Sequence, residues 1–120
     1  MPAPRPGRPF RTAHAEAPRA MNRREILEEA LRVLAPRIPA HEFEAIVDHA
    51  LTSAGLRGAT PETAAWLSMV AYVRHRLTEY DRLLDEGYDQ DSARFFVLAE
   101  INGVLEDWQS PRRVSGEEEA

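Results

Sequence analysis

Apolar side chains recur at three- and four-residue intervals along most of this chain, which is the period of a helix with one buried face. Ile26, Leu27, Ala30, Leu31 and Leu34 share a face and predict a first helix over about 23–34. Asn22 and Glu25 stand at N-cap and N3 spacing in front of it, a pair that can satisfy the orphan amides of a first turn. Pro36 and Pro39 end that helix and open the next, because proline lacks the amide donor and is tolerated in a first turn. A second helix over about 40–54 presents Phe43, Ile46, Val47, Ala50 and Leu51 and stops at Gly55. Thr60 and Pro61 start a third, predicted to run unbroken from about 61 to 86 and to close on Gly87 as a left-handed C-terminal residue, with Tyr88 folding back toward Leu83. Asp89 caps a fourth over about 90–108, with Ala93, Phe96, Val97, Ile101, Val104, Leu105 and Trp108 apolar. No alternating run of β-branched residues reads as a strand.

The third helix differs from its neighbours. Between Ala64 and Val73 the only polar residue is Ser68, and a helix apolar on nearly all sides belongs in the middle of a bundle. The fold expected is therefore all-α: a small four-helix bundle around a long central third helix. Its domain covers 22–109, between a basic arm rich in proline and arginine at 1–21 and a polar acidic tail at 110–120. The structured chain starts at once after Met21, so the preceding residues read either as a translated leader or as a working arm. Low apolar content and clustered proline predict that this arm is disordered.

Along the third helix, Trp66, Val70, Val73, Leu77, Tyr80 and Leu84 step by fours and threes as one core seam. Beside it Arg74, Thr78, Asp81 and Asp85 make a polar stripe, and His75, Glu79 and Arg82 a third line. Thr78 sits between Arg74 and Asp81, where its hydroxyl can donate to one side and accept from the other. The residues favour a structural lock, in which Arg74 ties the third helix to a carboxylate or a helix C-terminus elsewhere and Asp81 or Asp85 accepts from Arg94. A ligand or partner site built from Arg74, His75, Thr78, Tyr80, Asp81 and Arg94 is the alternative, and catalysis a weaker one.

Charge narrows the partners. Residues 1–24 carry six arginines against one acid, whereas 25–111 carry sixteen acids against seven arginines. An acidic body fits a phosphate backbone poorly, so nucleic acid is expected, if at all, only through the N-terminal arm. The helix predicted to start at Pro61 also opens on Glu62 with no base in its first turn, the reverse of what a recognition helix needs. There is no cysteine, which removes disulfides, thiolate zinc and cysteine nucleophiles. His75 with Glu79, and His41 with His49, fall short of three convergent ligands, so no metal is expected. A phosphate-binding glycine loop and a nucleophile elbow are both missing. No apolar run reaches the roughly 18–20 residues of a membrane span. A cytoplasmic protein without cofactor is the expectation.

Three segments carry a resemblance: L-x-P-R-I-P, A-Y-V-R-H-x-x-T-x-Y-D-x-L-L, and G-Y-D-x-x-x-A-R. In that order and spacing the chain resembles, over about 23–110, a family of uncharacterised bacterial and fungal proteins described as a domain of unknown function. The resemblance implies signature positions at Pro36, Arg37, Pro39, Arg74, His75, Thr78, Tyr80, Asp81, Gly87 and Arg94, and no activity. Phe95 and Phe96 then read as ordinary apolar variation. The function expected is a protein-interaction or self-association module rather than an enzyme. The alternatives are a nucleic-acid-associated protein working through its arm, and a ligand binder or enzyme using Arg74, His75, Thr78 and Asp81.

Overall fold

The computed structural model describes residues 20–115; the basic arm before them and the last five residues lie outside that range. The first helix, α1 (Arg23–Leu34), begins with a complete capping box: Glu25 N–H donates to the Asn22 side chain at 2.8 Å, and Asn22 N–H donates to the Glu25 carboxylate at 3.0 Å. Leu27 and Leu31 are its buried positions. After Pro36, α2 (Ala40–Thr52) follows Pro39 as its N-cap residue and buries Ile46, Val47 and Ala50. It stops two residues short of the expected end, and a single 3₁₀ turn, Ala54–Leu56, follows.

Helix α3 (Pro61–Leu77) is capped by Thr60, whose hydroxyl accepts from Thr63 N–H at 3.1 Å. It buries Ala64, Ala65, Trp66, Ser68, Met69, Val70, Val73 and Arg74, and it packs against α1, α2 and the last helix. The centre of the bundle is therefore where an all-round apolar helix belongs.

The third helix does not continue to residue 86. It ends at Leu77, and a separate short helix, α4 (Tyr80–Asp85), follows. Neither proline nor glycine lies at the break. Thr78 turns to an extended backbone (φ −133°, ψ 179°), and its hydroxyl takes over the local bonding: it donates to the Arg74 carbonyl at 2.5 Å and accepts from Tyr80 N–H at 3.2 Å. A β-branched hydroxyl residue that offers the backbone such bonds competes with helix continuation. The break also changes which side chains are buried. Leu77, expected in the core seam, is 39% exposed, whereas Tyr80 is 2% exposed.

Gly87 closes α4 with φ 104°, a left-handed conformation that glycine adopts without a Cβ penalty. Gly87 N–H donates to Leu84 O at 3.0 Å and Tyr88 N–H to Leu83 O at 3.1 Å, the expected fold-back. Helix α5 (Gln90–Asp107) is capped by Asp89, which accepts from Ser92 N–H at 2.7 Å. It buries Ala93, Val97, Ile101 and Leu105 and packs on α3 and α4. The chain beyond α5, expected as a polar tail from residue 110, stays on the bundle as far as Val114. Ser110 and Val114 are buried, and the Asn102 side chain clasps Val114 by donating to its carbonyl at 2.9 Å and accepting from its amide at 2.8 Å.

Candidate functional site

The six candidate residues of the third helix and α5 gather around the α3–α4 break, but not as a straight stripe. Asp81 does not reach Arg74. Its carboxylate accepts from His75 Nδ1 at 2.7 Å, and the His75 ring meets the Tyr80 ring edge-on at 5.1 Å between centroids. Both His75 and Asp81 are exposed, so this pair is a surface clasp across the break. An exposed pair of this kind contributes about 1 kcal/mol or less. The two arginine-bearing lines also separate: Arg82 pairs with Glu79 and, at 2.5 Å, with Glu86 on the outer side of α4.

Arg74 is the unusual member. It is 4% exposed, its guanidinium carbon lies 5.5 Å from the centroid of the Tyr80 ring, and its Nε is sealed from solvent with no hydrogen-bond partner among the described residues. The charge that comes close to it is another cation, Arg94 at the start of α5. Burial first and Arg94 second push the Arg74 guanidinium below its ordinary pKa, against a smaller opposing effect of Tyr80. A guanidinium remains charged through such a shift. Stacking on a tyrosine is worth about 0.5–2 kcal/mol, less than the several kcal/mol that burying an ion costs. Of the two partners expected for Arg74 in a lock, a carboxylate or a helix C-terminus, no carboxylate among the described residues forms an ion pair with it.

The histidines of α2 and α3 do not converge on a metal. His49 Nδ1 and the fully buried Ser68 hydroxyl share a hydrogen bond of 3.1 Å, which satisfies the one polar side chain in the apolar half of α3. His49 and His75 line a small cavity of about 210 Å³ with Ala45, Ala71, Tyr72 and Arg76. Among the described residues no group of three or more potential ligands could hold a metal ion.

Two apolar surface features were not foreseen from the sequence. The first is a groove of about 610 Å³ between α1 and the start of α3, walled by Met21, Ile26, Ala30, Val33, Leu34 and Leu67, with Trp66 beneath and Glu29 and Glu62 among the residues around it. Val33 in its wall is 67% exposed, and Arg112 stacks on Trp66 with its guanidinium carbon 3.9 Å from the ring centroid. The second is an aromatic knob at the start of α5. Phe96, expected on the apolar core-facing side, points outward with Phe95, which is 73% exposed. Phe96 contacts both Tyr88 and Phe95 in edge-to-face geometry, at 5.4 and 5.9 Å between centroids. A run of adjacent aromatics signals nothing by periodicity alone, because either phenylalanine can serve as the core residue of a helix.

Comparison with known proteins adds a family and no chemistry. The model of the family "Uncharacterized conserved protein (DUF2293)" matches residues 30–109, from the middle of α1 to the end of α5. No curated protein matches the chain, and no solved structure does. Among the described residues no helix is long and apolar enough to cross a membrane.

Proposed function

From membership of this family, which brings no activity with it, and from the geometry of two surface features, we propose that the chain is a self-association module in which the α1–α3 groove of one copy receives the aromatic knob of another. The observation that carries the reading is the coexistence on one small surface of a concave apolar site and a convex apolar one. The groove, at about 610 Å³, falls in the range of roughly 300–1,000 Å³ typical of sites that seat a compact apolar group. Apolar patches of this kind on a small domain mark interaction surfaces. The two features sit on different parts of the fold, since α1 packs on α2 and α3 whereas α5 packs on α3 and α4. A knob of one copy therefore meets the groove of a second copy, in a head-to-tail contact that builds rings or open chains.

Sedimentation of the full chain at concentrations up to about 1 mM tests this, a range that reveals weak contacts. Concentration-dependent association is expected, and Val33→Asp and Phe95→Asp should each abolish it without unfolding the protein, because both side chains are mostly exposed. An equimolar mixture of the two variants should regain a dimer, since one supplies an intact knob and the other an intact groove. A wild-type chain that stays monomeric throughout, or a mixture that stays monomeric, would overturn the reading.

A further inference from the structure

We propose that the segment Ser110–Val114 is a strap that holds the α1–α3 groove partly shut, with Arg112 lying on the Trp66 ring that an occupant would meet. The inference concerns the regulation of that groove and rests on the self-association reading for the identity of the occupant. After α5 the chain turns at Gln109, which has φ 59°, and is then held at two anchors. At the first, Ser110 is buried and its N–H donates to Leu105 O at 2.9 Å. At the second, Val114 is buried and its backbone is clasped by the Asn102 side chain through two hydrogen bonds, at 2.8 and 2.9 Å. Between the anchors Arg112 N–H donates to the Ser110 hydroxyl at 3.2 Å. The Arg112 guanidinium carbon lies 3.9 Å from the Trp66 ring centroid, at the groove.

This contact is a cover that can be lifted. Arg112 meets no carboxylate among the described residues, and Glu29 of the same groove pairs with Arg32 at 3.6 Å. Arg112 is itself exposed, and a cation stacked at an exposed site is weakly held. A segment tied down by one such contact and a few hydrogen bonds can open while the bundle stays folded. The contact nonetheless stands in the occupant's way. Trp66 is the aromatic surface beneath the groove, and an incoming Phe95–Phe96 pair gains from edge-to-face contact with such a ring. Arg112 already holds that ring. Lifting the strap deepens the groove to the indole, so the strap sets how readily one copy receives another.

Two measurements on full-length variants test this. Arg112→Ala removes the cover, and Asn102→Ala loosens the anchor at Val114. In a Trp108→Phe background, which leaves Trp66 as the only tryptophan, acrylamide quenching of Trp66 fluorescence should rise severalfold in both. Without that background, sedimentation should show both variants associating about tenfold more tightly than the wild type, the order of effect that one lost cation–π competitor permits. Quenching in Arg112→Ala that stays at the level of the Trp108→Phe parent overturns the strap, whatever the association does. Quenching that rises while a measurable association weakens or stays the same also overturns it, because Arg112 is then a docking contact or a bystander. If quenching rises and the wild type and both variants stay monomeric, the self-association reading is what fails, and the strap stands as the cover of the groove.

Discussion

The two ends of α3 are built on opposite terms. Near its start, Ala64, Ala65, Trp66, Met69 and Val70 are buried on several sides, and burial there asks only for volume and shape, because the hydrophobic effect is non-directional. Near its end, Arg74, Thr78 and Tyr80 are drawn inward together with their polar atoms, and each atom needs its own acceptor or donor. The first end continues the helix and the second breaks it. A chain can bury apolar residues on a regular helix, but burying Tyr80 against Arg74 here takes a change of direction, and the Thr78 hydroxyl holds the backbone groups that the change frees.

The largest effect should come from the apolar end. Trp66→Ala removes a nearly fully buried indole from the helix at the centre of the bundle and should cost about 3–5 kcal/mol, measured by urea unfolding at neutral pH. It also removes the ring on which Arg112 stacks, so the groove should lose its floor. A cost below about 1 kcal/mol would mean that the apolar end is as adaptable as a surface, and the contrast between the two ends would collapse.

A smaller effect is expected at the polar end. Thr78→Val preserves shape but leaves the Arg74 carbonyl and the Tyr80 amide without the hydroxyl that serves both. The loss should be about 1–3 kcal/mol, the cost of unsatisfied buried polar groups. Thr78→Ser retains the hydroxyl and should recover most of it. If valine were neutral, the break would be imposed by packing of Tyr80 alone, and the hydroxyl would merely accompany it.

What could be read from the sequence divides along the same line. Asn22, Thr60 and Asp89 were legible as caps because a cap is a local bond between residues three apart. Gly87 was legible because its conformation excludes most other residues. The all-α bundle and its apolar central helix followed from periodicity. The break at Thr78 was not, since helical spacing continues through it without proline or glycine, and only the tertiary position of Tyr80 rewards the interruption. Nor does spacing reveal that Asp81 prefers His75 or that the charge near Arg74 is Arg94, because those meetings join residues of different elements. Gln109 shows the same limit in the backbone: it closes α5 with φ 59°, a left-handed role that glycine fills at Gly87, and nothing about glutamine announces it.

The smallest effect concerns a cap and appears only as a function of pH. The backbone N–H of Ser92 and, after it, the Ser92 side chain hold the Asp89 carboxyl below its usual range, against a weaker opposing effect of desolvation. A carboxyl whose folded pKa is depressed adds stability above its unfolded pKa, about 3.9, and that stability is lost as pH falls through the folded value. Asp89→Asn keeps an oxygen that accepts from the Ser92 amide and removes the titration. The variant should therefore sit slightly below the wild type near neutral pH and converge with it under acid conditions. Asp89 is exposed, so salt should shrink the difference further. Urea midpoints taken between pH 7 and pH 2, at low and high ionic strength, check this. Parallel curves for the two proteins across that range would show that the cap of α5 works through its oxygen alone and not through its charge.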